Sequence, residues 1–462
     1  MAEKAADTEL ESDDAPSMTG EFVDRVTEAL ARGEAAEVKE LTADLHAADL
    51  ADLIELLDPD RRVDLIHSLG SAFDVEALPE LDEHVRDELV EALPADTIAS
   101  AVRELDTDDA VYLIEDLDSQ DQQEILEKVP SEDRIALARA LDYPERTAGR
   151  LMQTEFVAIP AFWTVGRTID HLRIGRDLPE SFVEIYVVDE AFHLLGSVPL
   201  SRILRNARDR MIAELMDEDY TVFRVSDDQE DIAYKFKQYN LVSAAVMDGD
   251  GRLVGMLMVD DIVDVIQEEA EEDILHLGGV GGDEELSDSV WLAIRSRFSW
   301  LLVNLVTAIL ASWVISLFDA TIEQMVALAV LMPIVASMGG NAGTQTMTIA
   351  VRALATRDLT MLNAFRIVFR ESMVGIINGL LFAVIMGVFA LWWFGSGPLG
   401  LVIGAAMVIN LVAAALAGIL IPLALDRLDV DPAIASGVFV TTVTDCVGFF
   451  AFLGLAALWL IR

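Results

Sequence analysis

The chain has 462 residues, 53% of them hydrophobic, yet it carries a formal net charge of -48 from 80 acidic and 32 basic side chains. A field of that sign disfavours nucleic acid and anionic lipid surfaces and attracts cations. One cysteine, Cys446, excludes an intrachain disulfide, and no nucleophile–base pair or phosphate loop emerges to support an enzyme.

Charge and hydrophobicity are segregated. From Trp291 to Arg462 there are eight Asp or Glu against eight Arg, with no Lys or His, so 72 acidic and 24 basic residues precede that point. The bland reading of this acidity is salt-adapted solubility, since the chain has only five Lys. It does not account for local clustering of the acids.

The start, "MAEKAADTELESDDAPSM", is acidic and polar, unlike a signal or transit peptide. Residues 1–20 are expected to be a disordered tail, and the first half of the chain cytoplasmic. Over 21–149 short apolar-periodic helices alternate with Asp-rich turns, as in "AADLADLIELLDPDRRVDLIHSL" and "DTDDAVYLIEDLDSQDQQEILEKV". Such units in series predict an all-α superhelical domain.

From about Arg150 the texture becomes α/β. "SFVEIYVVDEAFHLLGSVPLSRIL" and "NLVSAAVMDGDGRLVGMLMVDDIVDVI" each read strand, turn, strand, helix, and Gly196 and Gly255 lie 59 residues apart. This resembles a tandem CBS pair, with expected copies at 150–208 and 209–268. The second copy matches better, because Ser201-Arg202 occupies the place of an acidic residue in the first.

Next comes an acidic connecting helix, expected at 269–296. Between Asp260 and Asp273 eight of fourteen residues are acidic, and no Lys or Arg occurs from Leu253 through Ile294. Asp261, Asp264, Glu268 and Glu272 fall near one helical face, a spacing at which uncompensated charges destabilise a helix. An oxygen-rich, histidine-free run suits a hard divalent cation; the bland alternative is a solvated acidic face.

Five apolar runs complete the chain over 297–462: Phe298–Phe318, Met325–Leu354, Met373–Phe394, Leu399–Leu425 and about Pro432–Leu460. Each is long enough for a hydrocarbon core of roughly 30 Å, which takes about 20 residues. Arg295 and Arg297, then Arg352, Arg357, Arg366 and Arg370, then Arg427 fall on alternate connections. That pattern predicts an inside N-terminus and an outside C-terminus.

Two features inside these runs point to a path for ions. Asp445, in "VFVTTVTDCVGFFAF", is read as the one carboxylate deep in the bilayer, costly unless it meets water, a partner or an ion. Thr441, Thr442 and Thr444 supply hydroxyls around it. The stretch "MGGNAGTQT" is read as a pore segment: Gly339, Gly340 and Gly343 allow close backbone approach, and Asn341, Thr344 and Gln345 offer oxygens. Pro333 is expected to loosen the helix ahead of it. The plain alternatives are an interhelical polar contact and a small-residue packing seam.

The order of these parts resembles the MgtE family of magnesium channels and transporters over almost the whole chain. The most specific stretches are "PIVASMGGNAGTQTMTIAVRALATRDL", "VDDIVDVIQEEAEEDILHLGG" and "DPAIASGVFVTTVTD". The resemblance implies a homodimer in the inner membrane with a central pore, and Mg2+ as both substrate and regulator. It implies a pore role for Asp445 and an acid at the start of the last span in Asp431. It implies cation-sensing acids at Asp261, Asp264, Glu269, Glu272 and Asp273, with further ones at Asp228, Glu230 and Asp108. Val438, Asn240 and Tyr112 depart from the family pattern. Some relatives bind ATP in the CBS pair; here Glu184 stands at an aromatic stacking position and Ser201-Arg202 replaces an Arg-Asp pair, so nucleotide is not expected. The rival readings are a CBS-regulated channel for another divalent cation (Mn2+, Co2+), an anion channel, and a membrane-anchored sensor without transport.

Overall fold

The Asp-rich turns of the first domain are helix starts. Asp58, Asp82, Asp106 and Asp118 each stand at the N-cap of a short helix, and Asp118 Oδ1 accepts from the backbone N–H groups of Gln120 and Asp121 at 2.9 and 3.0 Å. Acidic caps also oppose the positive end of the helix dipole. The computed structural model describes residues 18–175, 178–179, 181–282, 290–360, 362–428 and 430–460. Most of the tail expected over 1–20 therefore lies outside the described residues.

Within the helical domain, Thr107–Ile114 packs on both Glu83–Ala92 and Ser131–Leu141, and Ala95–Val102 packs on Ser119–Lys128. Contacts between next-but-one helices are what a superhelical stack requires. One apolar core runs from Phe22 to Ala140, with Leu53, Ile54, Leu65 and Leu89 fully enclosed.

The α/β region contains two three-stranded sheets of the same topology. Strands β1 (Ala158–Pro160), β2 (Glu184–Val188) and β3 (Leu194–Pro199) form the first; β4 (Val222–Arg224), β5 (Ser243–Met247) and β6 (Leu253–Met258) form the second. In each, a parallel pair is followed by an antiparallel hairpin with one irregularity, at Val187/Val188 and at Val246/Met247. The hairpin turns also match. Asp189 Oδ1 accepts from the N–H groups of Ala191 and His193, and Asp248 Oδ1 from those of Asp250 and Arg252.

The two copies exchange their leading segments. Ala148 and Met152 pack in the core of the second sheet, and Ile212 and Leu215 in the core of the first. Gly255 is required by this crossing, because a Cβ there would lie 2.7 Å from Met152 Sδ and 2.8 Å from the Gln153 carbonyl oxygen.

The acidic helix runs Val259–Gly278, directly from β6. It therefore starts earlier and stops sooner than the expected 269–296. Gly279, at φ +75, takes the left-handed conformation and ends it, and Gly279 N–H donates to the His276 carbonyl. Residues 283–289 of the expected segment lie outside the described residues.

Five apolar helices follow: Val290–Ser316, Ala327–Ala355, Ala364–Phe394, Gly397–Asp426 and Pro432–Trp459. They are long and apolar enough to cross a membrane. The fourth is the central element, packed against the second, third and fifth, and half of its apolar window is buried.

Candidate cation sites and transport path

The first acidic site is built where the helical domain meets the second sheet. Glu155 anchors the corner. Its carboxylate accepts from Thr107 N–H at 3.2 Å, Thr107 Oγ1 at 2.8 Å and Thr154 N–H at 3.0 Å. Next to it, Gln153 pairs its backbone with Met256 of β6, and its side-chain Nε2 donates to Asp108 Oδ2 at 3.4 Å. Asp108 is thereby held beside Asp261, in the first turn of the acidic helix.

Burial, and then the charge of Asp261, raise Asp108 well above the usual carboxylate range. Burial, and then Asp260 and Asp109, push Asp261 up to about 7, with hydrogen bonds from the Met258 backbone and Asp108 acting against the rise. Asp109 rises to about 6 through burial and the neighbouring charges of Asp106, Glu80, Glu76 and Asp260. Asp264 is raised by burial and by Asp260, and Glu80 by burial and by Asp264. Oδ2 of Asp261 is enclosed and has no hydrogen-bond partner. Carboxylates gathered in this way are a poor protein core, and a hard divalent cation would relieve their repulsion; among the described residues, however, the three acids whose oxygens lie within 4.8 Å of one another are Glu83, Asp87 and Asp116. The expectation named Asp108, Asp261 and Asp264. Asp109, Glu80 and Gln153 were missed, because only the fold brings them across more than a hundred residues.

Asp228 and Glu230 lie elsewhere. Both are exposed at the start of the helix Gln229–Tyr239, where Asp228 Oδ1 accepts from Glu230 N–H at 3.0 Å as an N-cap. Capping alone accounts for Asp228.

The second site joins the end of the acidic helix to the start of the fifth span. Leu277 packs among Met347, Val351, Ala433 and Val440. The adjoining turn brings Glu269, Glu272 and Asp273 towards Asp431, which caps the fifth span by accepting from Ala433 N–H at 2.7 Å. Asp273 is raised to about 6 by burial, then by Asp431 and Glu269. His276 enters this group unforeseen: its Nδ1 lies 3.4 Å from Asp431 Oδ2 and 3.9 Å from Glu272 Oε1.

The third place is the bundle itself, where several expectations need correction. The stretch "MGGNAGTQT" lies inside one continuous helix, Ala327–Ala355, that runs on through the exposed Pro333 expected to loosen it. Gly339 and Gly343 are buried packing positions, not lining. A Cβ on Gly339 would run into the Asn410 side chain, and one on Gly343 would lie 2.5 Å from Val440 Cγ1. Gly340 differs, since a Cβ there meets nothing within 4 Å. Asn341, Thr344 and Gln345 are exposed, and Ser337, Asn341, Thr344 and Thr348 form a polar exposed strip at helical spacing. Such a strip on a lipid-spanning helix needs water or another protein surface.

Asp445 is half-buried on the fifth span, one turn after Thr441. Thr444 is fully buried and donates to the Thr441 carbonyl at 2.9 Å, so it does not face a path. Thr441 and Thr442 likewise spend their hydroxyl protons on helix carbonyls, leaving lone pairs to offer. Glu371 also lies in one of these helices, the third, near its start and at 4% exposure. The expected third span began at Met373, which is why Glu371 was placed outside it.

A five-helix bundle with an acid on its last helix and a polar strip on its second, preceded by an acid-rich helical and α/β region, calls for comparison with known proteins. The divalent cation transporter model named MgtE matches residues 332–455, the MgtE intracellular N domain matches 45–146, and the CBS domain matches 212–268. The magnesium transporter MgtE of Enterococcus faecalis is 36% identical over 324 residues, covering 69% of this chain and 70% of that one. The chain belongs to the MgtE family. The MgtE of Thermus thermophilus is 36% identical over 330 residues, covering 70% of this chain and 72% of that protein, and that of Bacillus subtilis is 30% identical over 321 residues. A crystal structure of the soluble part of a magnesium transporter covers 54% of this chain at 31% identity, with a TM-score of 0.49. The cytosolic domain of the Mg2+ channel MgtE in complex with ATP covers 53% at 29% identity, also with a TM-score of 0.49. The family is one of membrane transporters, and with five apolar helices this chain is a multi-pass membrane protein.

In the MgtE α/β pair of this chain, Glu184 is engaged. It accepts from Ser197 Oγ at 2.9 Å and Ser243 Oγ at 3.3 Å, while Arg202 pairs with Asp217 at 2.7 Å.

Proposed function

We propose that this MgtE protein moves Mg2+ across the inner membrane as a homodimeric channel, and that cytosolic Mg2+ closes it. The observation that carries the reading is the half-buried Asp445 on the fifth span of a chain whose second span exposes a polar strip. In this reading two copies meet along the strip, and the two Asp445 carboxylates lie on the polar path between them. Mg2+ sheds its water reluctantly, so carboxylates and hydroxyl lone pairs that hold the hydrated ion conduct it at least cost. Alternating Arg on the connections supports a cytoplasmic N-terminus and an outside C-terminus.

Regulation rests on the two acidic sites. Without cation, Asp108, Asp109 and Asp261 repel one another, as do Asp273, Glu269 and Asp431. Bound Mg2+ removes that repulsion and favours the state in which the acids stay together. A ligand shifts such a balance only through its differential affinity for the two states. Glu184, held by two serines, stands where the family resemblance expects an aromatic residue, and on that ground gating is proposed to be independent of ATP. Mg2+ flux into liposomes holding the purified protein tests the reading, with cytosolic Mg2+ and ATP varied separately. Absence of Mg2+ flux sinks the transport reading, flux insensitive to cytosolic Mg2+ sinks the gating, and a response to ATP sinks the nucleotide-independent form.

A further inference from the structure

Among the described residues of the second acidic group, His276 supplies a nitrogen where the others supply oxygens. It lies in the last turn of the acidic helix, its side chain is 9% exposed, and its Nδ1 is buried without a hydrogen bond. Asp431 Oδ2 approaches that nitrogen to 3.4 Å and Glu272 Oε1 to 3.9 Å. Asp431 uses its other oxygen, Oδ1, to cap the fifth span, which leaves Oδ2 for the imidazole side. The chain folds back over the group at Gly282, where a Cβ would lie 2.7 Å from Glu272 Cγ and 3.0 Å from His276 Nε2. Leu277, seated among Met347, Val351, Ala433 and Val440, fixes the turn that presents the ring.

Ligand chemistry separates this place from the site around Asp108 and Asp261. Carboxylates alone suit Mg2+, whereas an imidazole beside carboxylates raises affinity for first-row metals late in the series. An ion bonded at about 2.1 Å to a nitrogen and an oxygen holds them about 3.0 to 3.4 Å apart, so the Asp431 spacing already suits one, while the Glu272 carboxylate, whose oxygens do not lie within 4.8 Å of both partners as they stand, must swing inward.

We propose that His276, with Asp431 and Glu272, forms a site for a borderline divalent cation such as Co2+, Ni2+ or Zn2+, which it takes in preference to Mg2+. Occupation pins the end of the acidic helix to the start of the fifth span, so a metal other than the transported one holds the channel shut. The inference rests on reading these acids as a cation site. A plain ion pair between a protonated His276 and Asp431 is the competing account.

The test uses the purified full chain and Co2+ as probe. Equilibrium dialysis in millimolar Mg2+ fills the oxygen-only sites, so that retained Co2+ reports the imidazole site. Wild type is expected to retain one Co2+ per chain. His276→Leu should weaken that retention by at least about tenfold, since loss of a direct ligand costs no less than loss of its supporting partner. His276→Asn keeps an amide for Asp431 without the imidazole and should behave the same way, which guards against misfolding of the Leu variant. Co2+ should protect residues 278–282 from proteolysis in wild type and fail to do so in both variants, while Mg2+ protection persists in them. Equal Co2+ retention by wild type and His276→Asn, or equal displacement by Mg2+ from both, overturns the proposal in favour of the ion pair. Absence of Mg2+ protection in wild type would overturn the Mg2+-sensor reading instead, and Co2+ retention still decides the role of His276.

Discussion

Replacing Asp261 by asparagine isolates the repulsion in the first acidic site. Burial and the charges of Asp260 and Asp109 hold its carboxyl at about 7 rather than 3.8. Keeping it ionised in the metal-free protein at pH 8 therefore costs on the order of 4 kcal/mol, at about 1.4 kcal/mol per pH unit. Asp108 titrates with it, so the penalty belongs to the pair, and about half is assigned to the single substitution. The sign follows from linkage. A raised folded-state value means that stability from the bound proton is complete below about pH 4 and is lost as pH rises through about 7. Asp261→Asn removes that loss. In chelator at pH 8 the unfolding midpoint of the full chain should rise by about 4–8 °C, given roughly 2–4 °C per kcal/mol for a region of this size. The decline in midpoint between pH 5 and pH 8 should flatten. Added Mg2+ should stabilise the variant less than wild type, because a ligand is gone along with the repulsion. Calorimetry in chelator and in Mg2+, across that pH range, measures all of these. A variant less stable than wild type in chelator at pH 8, with its Mg2+ increment intact, would refute the reasoning and make Asp261 an ordinary structural residue.

The other predictions concern the path and the gate. Asp445→Ala should abolish most Mg2+ flux while the protein still assembles; full flux from folded Asp445→Ala removes the aspartate from the path. Gly339→Ala should destabilise the bundle by about 1–3 kcal/mol through overpacking against Asn410. Gly340→Leu should leave the melting of the chain unchanged and block flux, because its side chain enters space outside the chain's own packing; equal melting losses at the two glycines would contradict this division. Neutralising Asp261, Asp264, Glu269, Glu272 and Asp273 together should abolish Mg2+ inhibition of flux and Mg2+ protection of residues 278–282, and wild-type behaviour in both assays rules out the gating role of these acids.

Periodicity and composition determined the parts and their order. Asp-led caps marked helices because a carboxylate satisfies free N–H groups wherever a helix begins, a local effect legible in "DSQDQQEIL" as it stands. The repeat spacing of 59 residues foretold two alike hairpins, since a strand's pleat and an Asp-led turn are also local. Long apolar runs foretold five helices, though their charged ends did not: Glu371 and Arg370 lie inside a helix because a charged side chain adjoining an apolar run continues the backbone hydrogen bonding. Which acids meet was decided only by tertiary structure. Asp108 reaches Asp261 because Glu155 and Gln153 tie one helix to the edge of a distant sheet, and His276 reaches Asp431 because Leu277 docks on two spans. The roles of the glycines were decided the same way. Adjacent in sequence, Gly339 and Gly340 point 100° apart on a helix, so one meets Asn410 and the other meets open space. A helix's period fixes that two neighbours diverge; only packing determines which of them faces the partner helix.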